Sequence, residues 1–135
     1  MMTNAQPATS SDPGITLALL DAIGDAFNAN DIDAVMTFFH QDAIFDHAAG
    51  PDVHGTRFEG KDALRTVFAG LFENVENVHW ETLDAQICGE KAYCEYRRIA
   101  KMKTGEVQDF LSVDVLTFRG GLIIHKDTYY KNRTS

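Results

Sequence analysis

Between Phe110 and Lys126 the chain reads FLSVDVLTFRGGLIIHK, and this stretch decides the fold. Side chains alternate across a strand, so Phe110, Ser112, Asp114, Leu116 and Phe118 share one face, with Leu111, Val113, Val115 and Thr117 on the other. Both faces are mainly apolar, as in a strand covered on two sides. Gly120-Gly121 supplies a reversal, and Leu122-Ile123-Ile124 opens a second apolar run, so a β-hairpin is predicted. Two registers are open. If Arg119-Gly120-Gly121 is a three-residue loop, Asp114 lies opposite Lys126, and the inward row of the last strand is Leu122, Ile124, Lys126, Thr128 and Tyr130. If Gly120-Gly121 is a two-residue turn, Asp114 faces Asp127. The first is preferred, because the second sets two carboxylates directly across from each other.

The two-residue period reaches back to Asn77. Gly89, Thr104-Gly105 and Gly120-Gly121 divide it into strands over about residues 78–88, 92–103, 107–118 and 122–131. Further upstream the period becomes helical. Asp12-Pro13 starts a helix over about 13–29 carrying Leu19, Leu20, Ile23 and Phe27, and Asp31 caps a short second helix with Val35, Phe38 and Phe39. Asp42 opens a turn into a short strand, 43–47, and the glycines and proline of 48–60 read as a loop. A third helix follows over 61–72, with Leu64, Val67, Phe68 and Leu71 on one stripe. Helices first and a meander afterwards predict an α+β fold: three N-terminal helices packed on a curved, mostly antiparallel sheet. Residues 1–12 are polar and small and are expected to form a disordered tail, leaving 13–135 as a single domain.

Charge limits the partners. The chain of 135 residues carries a formal charge of −8, and its first 56 residues hold eight aspartates and no Lys, Arg or Glu. Such a chain lacks the clustered cations that displace phosphate counterions, so nucleic acid and anionic membrane surfaces are excluded as expected partners. Cys88 and Cys94 are the only cysteines and read as free thiols in a reducing compartment. With no signal peptide and no spanning run evident in the sequence, a cytoplasmic location is expected. The five histidines, His40, His47, His54, His79 and His125, show no metal-ligand spacing on one element, so no metal is expected.

Two carboxylates stand where the pattern is otherwise apolar. Asp114 sits mid-strand on a face of Phe, Leu and Ser, and a buried charge must be paired, neutralised or functional. Asp46 ends the short strand after the second helix, where alternation places it with Ile44 on one face and Phe45 on the other. Each also has a bland reading: a structural ion pair for Asp114, a turn former for Asp46.

The order of elements, the segment Phe39-His40-Gln41-Asp42-Ala43-Ile44-Phe45-Asp46, the entry Phe58-Glu59-Gly60-Lys61-Asp62-Ala63-Leu64 and the hairpin from Asp114 to Ile123 together resemble the NTF2-like superfamily, in its SnoaL-like and ketosteroid isomerase-like branch. The resemblance covers about residues 15–131 and implies a cone whose helices line an apolar pocket against the sheet. In ketosteroid isomerase one Asp is the general base, while a Tyr and a protonated Asp donate hydrogen bonds to the developing enolate oxygen. By that resemblance Asp46 takes the place of the base and Asp114 that of the protonated acid, whereas Ile23 stands where the tyrosine would be. Epoxide hydrolases of this fold use an Asp-Arg-Asp arrangement. That arrangement is not matched by Arg97-Arg98-Ile99-Ala100 and Thr128.

The expected function is a small, cofactor-independent acid–base enzyme, an isomerase or cyclase-type lyase acting on an apolar carbonyl compound. Asp46 would abstract the α-proton, and Asp114, Lys126 and Tyr130 would form the polar end of a pocket lined by Phe27, Phe38, Trp80, Leu116 and Phe118. His47 and His54 are further candidates for acids or bases at the pocket rim. The alternative is a non-catalytic domain that binds a small apolar molecule. In both readings the face carrying Leu111, Val113, Val115 and Thr117, with Tyr96 as a neighbour, is too apolar for water and predicts a homodimer.

Overall fold

The computed structural model describes residues 14–134. The expected start signal at Asp12-Pro13 and the tail of residues 1–12 lie outside them. Helix α1 (Leu17–Asn28) is capped instead by Thr16, whose side chain accepts from the Leu19 amide. Leu20, Ile23, Ala26 and Phe27 recur on its buried face. Asn30 ends the helix in the left-handed region at φ 54° and donates its side-chain amide to the Phe27 carbonyl. Helix α2 (Ile32–Met36) takes the expected Asp31 cap and buries Val35 and Met36.

Strand β1 (Phe39–Asp52) is much longer than expected, and it pairs with β2 (Gly55–Glu59) across residues read from sequence as a loop. The glycines that suggested a loop serve the hairpin instead. Gly55, at φ 82°, lets its backbone pass so close to β1 that a Cβ there would sit 1.9 Å from the His47 carbonyl oxygen. Helix α3 (Lys61–Asn74) turns Leu64 and Phe68 inward. Strands β3 (Val75–Cys88), β4 (Lys91–Met102), β5 (Val107–Arg119) and β6 (Leu122–Tyr130) complete the chain.

The six strands lie in the order β2-β1-β6-β5-β4-β3. All neighbours are antiparallel except β1 and β6, which run parallel and bring the first strand beside the last. The helices cover one face. Their core joins Phe27, Phe39, Phe45 and Phe68, with the Phe27 and Phe68 rings edge-to-face at 5.4 Å. Asn28 ties α1 to the sheet: it accepts from the Trp80 amide at 2.8 Å and donates to the Trp80 carbonyl at 3.1 Å.

Neither hairpin register expected for β5 and β6 is the one formed. Gly120 and Gly121 make a two-residue turn, at φ 59° and 79°, with Arg119 opposite Leu122 and Phe118 opposite Ile123. The register then shifts at Ile124, so that Thr117 pairs with His125, Leu116 with Lys126 and Asp114 with Thr128. The bulge reverses which face each later residue takes. Lys126, Thr128 and Tyr130 therefore share a face with Asp114, as the three-residue loop would also have arranged. Ile123, rather than Leu122 or Ile124, is the buried residue of the row.

Candidate functional site

A cavity of about 470 Å³ lies between the helices and the sheet. Phe27, Phe45, Val67, Phe68, Leu71, Trp80 and Phe110 form its apolar walls. Deeper in, a recess of about 30 Å³ is bounded by Ile23, Gly24, Tyr96, Leu116 and Ile123, and it shares Phe27, Trp80, Asp114 and Lys126 with the main chamber.

The polar end is built on β5 and β6. Thr128, directly opposite Asp114, donates its hydroxyl to Asp114 Oδ1 at 2.6 Å. Lys126 reaches the same oxygen along the diagonal at 3.2 Å and also donates to Thr128 Oγ1 at 2.9 Å. Both charged side chains are nearly removed from water, at 12% and 10% exposure. Three rings surround the ammonium, with the Phe45 centroid nearest at 4.8 Å. A lone buried ammonium is costly, and here a carboxylate, a hydroxyl and aromatic faces stabilise it together.

Tyr96 comes from β4, opposite Ser112 and one pleat from the Cys94–Asp114 pair. This corrects its expected place on the outer face. Burial above all, then the negative charge of Asp114, pushes its phenol far above the usual range, so it remains a neutral hydrogen-bond donor. Ile23 does line the recess, and no tyrosine comes from helix α1 there.

Asp46 is not in the cavity. Alternation along β1 turns Phe45 and His47 inward, so the residue between them faces the far side of the sheet. There Arg57 grips its carboxylate with two bonds, Nε to Oδ1 at 2.8 Å and Nη2 to Oδ2 at 2.9 Å, and His125 Nε2 lies 2.8 Å from Oδ2. The Arg57 hydrogen bonds outweigh burial, with help from His125, and hold the Asp46 carboxyl below its ordinary value. A general base needs the opposite shift and an open path to substrate. Asp46, His125 and Asp127 bring ligand atoms within 4.8 Å of one another, a spacing a metal could bridge. The Arg57 guanidinium already holds the central carboxylate and would repel a cation there, so the donor set fits an ion-pair network better.

Of the other expected residues, Tyr130, Phe27, Trp80 and Leu116 do line the cavity or its recess. Phe38 and Phe118 do not line it; they pack in the hydrophobic core. His47 lies on the cavity wall, its ring edge-on to Tyr130 at 6.0 Å, and its Nδ1 lies 3.1 Å from the Ala49 amide nitrogen and 3.3 Å from the Ala49 carbonyl oxygen. His54 does not line the cavity and sits 4.0 Å from Asp52. The sequence reading missed Arg98. Its signal was present, because Cys94, Tyr96, Arg98 and Ala100 alternate inward once Cys94 is paired with Asp114.

Helices covering one face of a curved mixed sheet, with a cavity between the layers, define the class: an NTF2-like α+β cone. The chain belongs to the SnoaL-like domain family, whose model matches residues 20–126. A comparison with curated protein sequences finds no match. Among solved structures the chain is similar to a protein of ketosteroid isomerase-like fold from Catenulispora acidiphila, in complex with trimethylamine, at 23% identity and a TM-score of 0.74 over 87% of this chain and 88% of that one. It is also similar to a candidate polyketide cyclase of Pseudomonas putida, at 19% identity and TM-score 0.69 over 84% and 89% of the two chains. An NTF2-like protein of Burkholderia pseudomallei aligns at 16% identity and TM-score 0.74, over 85% and 89%. No helix among the described residues is long and apolar enough to cross a membrane.

Proposed function

We propose that this chain is a small acid–base enzyme, needing no cofactor, that abstracts a proton α to the carbonyl of a largely apolar compound, as an isomerase or cyclase-type lyase. The observation that carries the reading is a roomy cavity of about 470 Å³ with apolar walls and, at one end, a desolvated ammonium held beside a carboxylate. In the first step a base takes the α-proton and the C–H electron pair moves into the new C=C bond. The carbonyl oxygen gains the negative charge. Lys126 Nζ and the neutral Tyr96 phenol are the donors suited to that oxygen, and Asp114 with Thr128 holds the ammonium in place. His47 takes the base's role in place of Asp46, because its imidazole is on the cavity wall and, with its proton on Nδ1 facing the Ala49 carbonyl oxygen, Nε2 keeps a lone pair that can accept the α-proton. Returning the proton to another carbon completes an isomerisation, whereas attack of the enolate carbon on a second carbonyl, whose oxygen then takes the proton back from the base, completes a cyclisation. The trimethylamine in the Catenulispora acidiphila relative and the cyclase description of the Pseudomonas putida relative support a cone that takes small molecules.

Deuterium exchange tests this without knowledge of the product. In D₂O the protein is expected to catalyse loss of the α-proton signal of ring ketones such as 2-tetralone, followed by NMR. Lys126→Met and His47→Gln should each slow the exchange about 100-fold, the usual cost of removing one oxyanion donor or one positioned base. Equal exchange by both variants and the wild type would overturn the reading.

A second reading is favoured by one observation. The Asp114–Lys126–Thr128 cluster is closed on itself, as a structural motif in a non-catalytic binding domain would be. Ligand binding without any exchange above the buffer rate would favour it. In either reading we propose a homodimer formed through the outer face of β4, β5 and β6, and a cytoplasmic protein.

A further inference from the structure

Although the chain is acidic overall, its cavity is not. Asp114 is the only carboxylate among the lining residues, against two basic side chains, Lys126 and Arg98, and the imidazole of His47. Lys126 is neutralised by Asp114. Arg98 has no carboxylate partner among the described residues. Among those residues its one side-chain hydrogen bond runs from Nη1 to the neutral Gln108 Oε1 at 2.8 Å. Its guanidinium carbon lies 5.4 Å from the Phe110 ring centroid and 5.8 Å from that of Trp80.

From this geometry we infer that the substrate is an anion: a planar carbonyl compound bearing a carboxylate, which Arg98 receives between Trp80 and Phe110 while the carbonyl points toward Lys126. Resting on the enzyme reading above, the inference names the substrate class of the same site. Three observations carry it. A half-buried guanidinium paired, among the described residues, only with an amide oxygen leaves most of its donors unused, and a carboxylate matches that fork with two parallel bonds. Burial lowers the Arg98 pKa, which is the strain an arriving anion relieves. Register supplies the third. Arg98 pairs with Phe110, while Lys126, opposite Leu116, reaches back so that its ammonium rests beside Asp114, the partner of Cys94; four residues of strand, roughly 13 Å of rise, therefore separate the levels of the two cationic groups. A fused bicyclic ring with a carboxylate at one end and a carbonyl at the other, together with the hydrogen bond each makes, matches that distance, and the aromatic walls suit its faces.

The test uses 6-acetyl-2-naphthoate and its neutral carboxamide, which carry the ketone and the anionic or amide group at opposite ends of one ring system. Calorimetry on the full chain at neutral pH is expected to show the carboxylate binding at least about tenfold more tightly, the usual margin of a charge-assisted over a neutral hydrogen bond. Arg98→Gln should abolish that preference, Arg98→Lys should keep part of it, and Lys126→Gln should leave it. Equal binding of the two probes by the wild type overturns the inference and needs no variant to fold. So does a preference lost in Lys126→Gln but kept in Arg98→Gln, because the anion would then sit on Lys126. The readout is binding alone. Absence of α-proton exchange would count against the enzyme and leave the anion site standing, and loss of the anion preference would leave the exchange chemistry untouched.

Discussion

At the scale of single residues, Asp46 shows how one carboxylate can look catalytic in a sequence and be structural in the fold. It is 2% exposed and has three partners or neighbours on the outer sheet face, Arg57, His125 and Asp127. A carboxyl whose folded pKa is depressed adds stability above its unfolded value, here 3.8, and that contribution disappears as the pH falls through the lower folded value. Asp46→Asn is therefore expected to cost stability at pH 7 and progressively less below pH 3.8. The Arg57 side chain is 36% exposed, so water can take over its donors; the cost at neutrality is about 1–2 kcal/mol rather than the ~3–5 of a sealed pair. Denaturant titrations of both proteins at pH 7, 4 and 3 check the sign. A gap between them that widened on acidification would contradict the assignment. Exchange catalysis, corrected for the folded fraction, should be unchanged in Asp46→Asn, which separates its role from that of His47 one position along the strand.

At the scale of elements, what was legible followed directly from side-chain period. The facing of β5 was correct from alternation alone, since Ser112, Asp114, Leu116 and Phe118 are its buried residues. Alternation around Phe45 already held the correction for Asp46, but the resemblance to an isomerase base outweighed it. The β1–β2 hairpin was invisible for a different reason. Residues 48–54 carry Gly50 and Pro51 and no apolar alternation, and their pairing depends on backbone contacts that a sequence period does not report. The bulge at Ile124 was hidden likewise, because a one-residue slip leaves no mark in an all-apolar Leu122-Ile123-Ile124 run. These backbone devices aim the site, so a glycine can be worth as much as a polar side chain. Gly55→Ala would force a methyl group onto the His47 carbonyl at a positive φ, and the hairpin must shift to accept it. The variant is expected to lose about 2–3 kcal/mol in denaturant unfolding and to lose α-proton exchange with it, since His47 moves with its backbone. Gly89→Ala, at φ 62° with open space around it, should cost only about 1 kcal/mol and spare the exchange. If the two variants behaved alike, the hairpin would not be what positions His47.

At the scale of the whole molecule, the two faces of the sheet divide the work. The inner face is covered by the helices, with α3 packed on β1, β2 and β3 and α1 on β3, and it holds the cavity. The outer face of β4, β5 and β6 is left bare, with Leu111 and Tyr93 each 41% exposed and Tyr129 58% exposed. Tyr93 there takes the place expected for Tyr96, because Tyr93 pairs with Val115 and shares its outward face. Charged residues flank the apolar strip of β5 on both neighbouring strands: Glu95 pairs with Val113, Arg97 holds Asp109 with two bonds, and Asp127, opposite Val115, accepts from the Tyr129 hydroxyl. An apolar centre inside a polar rim is the anatomy of a specific interface, and a stable one needs roughly 800 Å² from each partner. The negative charge of the chain works against association at long range, so the contact must be sustained by apolar burial close in. Sedimentation at micromolar concentration should therefore give a particle of twice the 15.0 kDa chain mass, with little weakening as salt is raised. Val113→Lys, in the middle of the strip, should convert it to the single-chain mass while leaving carboxylate binding in the cavity intact, because Val113 points away from Arg98 and Lys126. A wild-type particle of 15.0 kDa would rule out the dimer, and the bare face would then need another partner. A Val113→Lys protein that stayed dimeric would move the interface to a different surface.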